Sequence, residues 1–317
     1  MRKKHVYKKS TPSQGKPSPH LRHQVDEKTV EMGLVIMRQT RYAHVEDSNG
    51  HLIHCAIRPH ITTLVAGDRV TWQAEGPAQG VILDVLPRQS VLGRLDAQGQ
   101  LKPIAANITQ LMIVIAPVPA VSWLLLDSYL VMAETLHLPA YIILNKTDLE
   151  ITEIQQYLFQ HYEPLGYPIL MTSITSQDLS PLQKVLRQQT SVLVGQSGVG
   201  KSSLIMHILP HEAPRIKTGP LSEQNHFGCH TTSNSHLYHI PSGGDLIDSP
   251  GIRELSLWTL PQLSVALGFR EFRPYISQCK FRNCTHHNTP NCAVIQAVKS
   301  QQISLKRYEN YVKLISE

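Results

Sequence analysis

The run Gly195-Gln196-Ser197-Gly198-Val199-Gly200-Lys201-Ser202-Ser203 has the spacing G-x-x-x-x-G-K-[ST] of a phosphate-binding loop. Its glycines let backbone N–H groups converge on phosphate oxygens at a helix start, where the helix dipole adds to the attraction. Lys201 is placed to reach the β- and γ-phosphates, and Ser202 to offer its hydroxyl to Mg²⁺. The apolar run Val192–Val194 precedes the loop, and a helical stretch from Ser203 to Leu209 follows it before Pro210. That strand–loop–helix setting is what the chemistry needs.

Upstream, Asn145-Lys146-Thr147-Asp148 follows the apolar segment Tyr141–Leu144. A carboxylate at Asp148 can accept from guanine N1–H and the exocyclic amine together. Adenine offers neither donor and would leave the carboxylate unpaired, so discrimination is steep. Asn145 would contact the other side of the base pocket, and Lys146 would pack along it. Met171-Thr172-Ser173-Ile174 ends a further apolar segment, where a second base-contacting loop would sit.

Downstream, Asp248-Ser249-Pro250-Gly251 matches D-x-x-G, whose aspartate holds Mg²⁺ and whose glycine senses the γ-phosphate. Between the two motifs, Thr232 or Thr231 could close over the metal. The residue after D-x-x-G is Ile252, which cannot orient water as a glutamine would. His230 or a partner surface is then the candidate for that task, and intrinsic GTP hydrolysis is expected to be slow.

A fourth constellation lies near the C-terminus. Cys279, Cys284, His286 and Cys292 supply three thiolates and an imidazole, the donor set of a closed structural Zn²⁺ site, with His287 as an adjacent alternative ligand. Cys55 and Cys229 stand apart as free thiols, so the five cysteines do not form a disulfide framework.

The elements that must position these groups follow from patterning. Residues 1–32 begin with a lysine- and arginine-rich segment that has no acid before Asp26, and they are expected to form a disordered basic arm. Residues 33–95 carry short β segments (Gly33–Met37, His51–Ile57, Arg69–Trp72, Gly80–Val85) separated by polar turns, the pattern of a five-stranded OB-type barrel. Residues 101–260 alternate apolar strands with helices, predicting an α/β domain with a largely parallel sheet. Residues 261–317 read as a helical zinc-binding domain. It is rich in Arg270, Arg273, Lys280, Arg282, Lys299, Lys306, Arg307 and Lys313, either a solvated basic face or an RNA clamp.

The net charge of +6 favours a polyanionic partner. The longest apolar stretch, 111–133, contains Pro117, Pro119 and Asp127 and reads as a strand, a turn and a helix from about Ser122. No membrane span and no secretion signal are expected, which makes the cytoplasm the default.

The order along the chain is base motif, second base loop, phosphate loop, switch threonine, switch aspartate, so the nucleotide domain reads as circularly permuted. Permutation leads the switch aspartate into the C-terminal segment, which γ-phosphate loss would be expected to reorient.

Together these residues resemble the RsgA family, also called YjeQ or EngC, the circularly permuted, ribosome small-subunit-dependent GTPases. The resemblance spans nearly all of the chain after about residue 30, including Gly67-Asp68-Arg69-Val70 in the barrel and His230-Thr231-Thr232 in the switch. It implies a GTPase that binds the 30S ribosomal subunit near the decoding region of 16S rRNA late in its maturation. Such an enzyme is stimulated by the subunit, binds GTP/GDP and Mg²⁺, carries one structural Zn²⁺ and acts as a monomer. The family's zinc ligands map onto Cys279, Cys284, His286 and Cys292, and Ile252 fits its hydrophobic replacement of the glutamine.

Two other classes share parts of the pattern. A nucleotide-driven metallochaperone would need an exposed, exchangeable metal site. An RNA-binding module that only senses nucleotide would show negligible turnover even with the subunit present.

Overall fold

Alternation of buried and exposed residues builds the first layer. Val30–Arg38 (β1), Tyr42–Glu46 (β2), Leu52–Ile57 (β3), Arg69–Gly76 (β4) and Gln79–Val85 (β5) pair in the order β1-β2-β3-β5-β4, and β4 returns to β1. The computed structural model describes residues 29–95, 98, 100–175, 179–212, 235–248 and 262–316. Closure leaves this barrel no free edge, and β3 and β5 run parallel in it, the order of an OB-type barrel. Val35, Ala43, Val45, Cys55, Val70 and Ile82 fill the interior, fully buried. β2 is a strand not named from sequence: its two buried residues, Ala43 and Val45, alternate with exposed Tyr42 and half-buried His44 and Glu46. β1 begins at Val30, ahead of the expected Gly33, and pairs there with Gln73.

A hairpin, Val91–Leu95 (β6) with Leu101–Ala106 (β7), spans the gap that the sequence left between barrel and α/β domain. It explains the Gly-Asp motif at 67–68. Gly67 has φ +88, and a Cβ there would lie 2.2 Å from the Ala106 carbonyl oxygen. Asp68 is fully buried and accepts from Arg88 through both oxygens, at 2.7 and 2.8 Å, and from the Val65 N–H.

The α/β domain runs Gln110–Ile115 (β8), Trp123–Thr135 (α1), Ala140–Leu144 (β9), Thr152–His161 (α2), Ile169–Met171 (β10), Ser180–Leu186 (α3), Thr190–Val194 (β11) and Lys201–Ile208 (α4), then His236–His239 (β12) and Asp245–Asp248 (β13). All six residues of β8 are buried, as a strand covered by helices on both faces requires. Ser122 caps α1, accepting from the Leu125 N–H. The sheet order is β10-β9-β8-β11-β13-β12, parallel except for β12. The apolar runs from 111, at Tyr141–Leu144 and at Val192–Val194 are strands β8, β9 and β11, each within two residues of those bounds, while α4 opens at Lys201 rather than Ser203. β9 and β10 extend to one side of β8 and β11 lies on the other, so the switch point between β8 and β11 is where the sheet opens a crevice. Met37 of β1 pairs with His236 of β12, joining barrel and domain sheets.

The C-terminal segment is helical: Gln262–Gly268 (α5), a 3₁₀ turn at Arg270–Phe272, Arg273–Ile276 (α6), Ala293–Lys299 (α7) and Leu305–Ser316 (α8). Phe269, Phe272, Val294, Ile303 and Tyr311 form its core, together with Val131 of α1. Part of the basic face expected here is not a face. Arg307 is buried, and Arg270 and Arg273 both pair with Glu134 of α1. Lys280, Arg282, Lys299, Lys306 and Lys313 are exposed. Among the described residues no helix is long and apolar enough to cross a membrane.

Candidate nucleotide and metal sites

The phosphate loop leaves β11 at the switch point and enters α4. Gly195 has φ +139, and a Cβ there would lie 2.1 Å from the Val114 carbonyl oxygen; Gly200 has φ +95 and would collide with the Asn145 amide. A side chain at either position would strike β8 or Asn145, so glycine lets the loop take this positive-φ path and pack closely against both. Lys201 is buried and its ammonium donates to the carbonyls of Gly195 at 2.6 Å and Gln196 at 2.7 Å, which curls the side chain over the loop. Ser197 and Gly198 are exposed at the loop tip, Val199 packs inward, and Ser202 and Ser203 sit half-buried in the first turn of α4.

The base motif leaves β9, two strands away, yet the structure bonds it to the phosphate loop. Asn145 is buried, donates to the Val199 carbonyl at 2.9 Å and accepts from the Thr172 hydroxyl. Lys146 has φ +60 and donates to the carbonyls of Val118 and Gly198 at 2.8 and 2.7 Å. Thr147 directs its N–H and hydroxyl to the Thr172 carbonyl. Asp148 is exposed, with its carboxylate accepting from the Ser173 hydroxyl, which in turn meets Thr175. Ser173 foremost, then the Asp148 backbone N–H, Thr175 and the charge of Lys146, hold that carboxyl below the usual range, against the opposing effect of burial.

These contacts give the tetrapeptide 171–174 a specific task. Thr172 orients Asn145 and Ser173 orients Asp148, because parallel pairing of β9 and β10 sets Leu144 beside Met171. Sequence pointed to the loop, but its hydroxyl partners follow only from that register. Asp248 ends β13, the parallel neighbour of β11, so it emerges on the same edge as the phosphate loop. His230, Thr231, Thr232, Ser249–Gly251 and Ile252 lie outside the described residues.

The four zinc-ligand candidates converge. Their donor atoms lie within 4.8 Å of one another, the sulfurs of Cys279 and Cys292 are 3.9 Å apart, and His286 Nδ1 is 3.5 Å from each. Bond lengths of about 2.3 Å to sulfur and about 2.0 Å to nitrogen around a tetrahedral Zn²⁺ require edges of roughly 3.8 and 3.5 Å. The donors therefore fit that ion, with Nδ1 as the ligand nitrogen. Burial pushes the Cys292 thiol up to about 12 and lowers the His286 imidazole. Burial also raises Cys284, but hydrogen bonds led by the His286 N–H outweigh it and lower the thiol overall. Tyr308 and Tyr311 of α8 donate to the carbonyls of His286 and Thr285 and hold the knuckle in place. His287 lies outside the cluster, beside Asn288.

Known proteins share this architecture. The family model described as RsgA GTPase matches residues 85–258. The small ribosomal subunit biogenesis GTPase RsgA 1 of Vibrio parahaemolyticus is 43% identical over 294 residues, covering 90% of this chain and 83% of its own. The RsgA protein of Actinobacillus pleuropneumoniae is 44% identical over 296 residues, covering 90% and 85%. Among solved structures, YjeQ from Thermotoga maritima superposes with a TM-score of 0.73 at 29% identity, covering 91% of this chain and 98% of its own. YloQ, described as a circularly permuted GTPase, gives 0.70 at 27% identity over 94% and 97%. With one family model across its centre and relatives of this identity along nine-tenths of its length, the chain belongs to the RsgA GTPase family.

Proposed function

We propose that this GTPase binds the 30S ribosomal subunit in the cytoplasm, acts as a monomer in late maturation of the subunit, and hydrolyses GTP faster when bound to it. The observation that supports its nucleotide chemistry is the bonding of Asn145 and Lys146 to the carbonyls of Val199 and Gly198. It joins the loop read as guanine-binding to the loop read as phosphate-binding, although they occur in reversed order along the chain.

In that site Asp148 accepts the guanine N1–H and amine, while Asn145 and Lys146 wall the base. Backbone N–H groups of 195–200 and the Lys201 ammonium hold the phosphates. A magnesium ion, held by Ser202 and by Asp248 through water, would offset charge on the phosphate oxygens. Thr232 closes the site, and His230 or the bound subunit orients the attacking water. The relatives' names connect them with small-subunit biogenesis, and the exposed lysines of the zinc module suit a 16S rRNA partner. No membrane partner is proposed.

The test is GTP turnover by the full chain with and without purified 30S subunits. Stimulation of tenfold or more is expected, and equal rates would remove the ribosomal reading while leaving the GTPase intact. His230→Ala with stimulated turnover unchanged would assign water orientation to the subunit.

A further inference from the structure

The outer surface of the barrel carries three rings in sequence. Tyr42 stacks on His54 with centroids 4.6 Å apart and planes 20° from parallel, and His54 meets His44 at 5.4 Å. The reason is register: His44 lies opposite His54 across the β2–β3 ladder, and Tyr42 lies diagonally from it on the same face. Their neighbours Ala43, Val45 and Cys55 point into the core, so the rings cannot. Tyr42 is 44% exposed.

Among the described residues no second ring packs on Tyr42. We propose that Tyr42, backed by His54, is a stacking platform for one unpaired RNA base; the proposal rests on the ribosomal reading and names a contact within it. Bases stack on aromatic side chains whatever their identity, and single-stranded RNA is recognised largely in this way. Tyr42 and His54, 20° from parallel, together present one ring surface.

Charge around the rings favours a polyanion. Arg41 precedes Tyr42, and Arg58 follows the β3 strand end whose Ala56 pairs with Tyr42; both are exposed at the Tyr42 end of the face. Two acids, Glu46 and Asp47, lie at the far end and are engaged. Glu46 accepts from His239, and Asp47 accepts from the N–H groups of Asn49 and His51. A base on Tyr42 thus places its flanking phosphates toward two guanidinium groups.

The experiment measures affinity of the full chain, its GTP site loaded with a non-hydrolysable analogue, for two probes: purified 30S subunits and a fluorescein-labelled twelve-nucleotide oligoadenylate. Tyr42→Ala and His54→Ala are expected to weaken binding by at least about fivefold on one probe or both, the loss expected for one stacked base. Tyr42→Phe keeps the ring and should stay within about twofold. These side chains lie outside the core, and GDP affinity of each variant, expected unchanged, verifies folding. Tyr42→Ala matching the original chain on both probes, or the original chain binding neither, would overturn the platform. A wild-type chain that fails to bind 30S but binds the oligonucleotide through Tyr42 would sink the ribosomal reading alone.

Discussion

Arg307 of α8 donates from Nη1 to Oδ1 of Asp127 in α1 at 2.5 Å, with the two side chains 2% and 0% exposed. Glu271 accepts from the other edge of the same guanidinium, and Asn310 and Tyr162 complete the shell of Asp127 at 2.7 and 3.0 Å. Burial opposes the Arg307 charge, but the two carboxylates outweigh it and hold the guanidinium pKa well above its ordinary value. A second pair of contacts, Arg270 and Arg273 on Glu134, lies about two turns further along the same face of that helix. The zinc module is thus fastened to α1, the helix that follows β8 beside the phosphate loop.

Removing one partner of this cluster should cost far more than removing both. Arg307→Ala leaves Asp127 and Glu271 buried together without their cation, and a loss of about 3–5 kcal/mol is expected in urea unfolding. Arg307→Met combined with Asp127→Leu should lose less than that. An Arg307→Ala protein as stable as the original would show that the pair contributes nothing.

Guanine selectivity should rest on Asp148. Asp148→Asn replaces an acceptor by a donor, so GTP affinity is expected to fall at least a hundredfold and xanthosine triphosphate, with a carbonyl in place of the amine, to gain. Competition binding with the two nucleotides reads both changes.

Ser173 should set the acid limit of that recognition. Because its hydroxyl lowers the Asp148 pKa, the carboxylate stays charged to lower pH, and binding is lost only as pH falls through that depressed value. Ser173→Ala raises the pKa, so the acidic limb of a GDP-binding profile should move to higher pH. An unmoved limb would show that the hydroxyl does not tune the carboxylate.

His239 clasps the barrel to the α/β domain, with Nδ1 on Asp245 and Nε2 on Glu46 at 2.7 and 2.6 Å. The hydrogen bond with Asp245 foremost, then the one with Glu46, raises its pKa from 6.5 to about 9, against the effect of burial. A raised folded-state value stabilises fully below about 6.5 and ceases to do so as pH passes about 9. His239→Ala should therefore flatten the fall in thermal stability between these limits. The side chain is half exposed, so the effect will be small and will shrink in high salt.

Zinc should hold the C-terminal knuckle without touching nucleotide affinity. Cys292→Ser is expected to release the metal to a colorimetric chelator and to loosen α7 and α8 to proteolysis, with GDP binding kept within about twofold. Full zinc content in the variant would remove Cys292 from the ligand set.

Much of the site was legible because its chemistry is local. The phosphate loop, the base motif and the Cys₃His set are short spacings in which a few bonds of backbone carry the whole geometry, and the parallel strands beneath them announce themselves as apolar runs. Arg307 was not legible. On a helix whose exposed positions carry Lys306 and Lys313, a third basic residue reads as one more solvated charge until α8 is laid against α1. Asp127 reads in sequence only as an interruption of an apolar stretch, and its partners lie just after α2 and in α8.

The same division separates the two ends of the nucleotide site. Residue type and spacing alone assign Asp148 to guanine and Lys201 to phosphate, because hydrogen-bond complementarity and backbone curvature are properties of a few adjacent residues. That Ser173 holds Asp148, that Lys146 bonds to Gly198 and that Tyr42 stacks on His54 depend on strand order and register. Those are set by how apolar faces pack across the whole sheet, and no window of neighbouring residues contains that information.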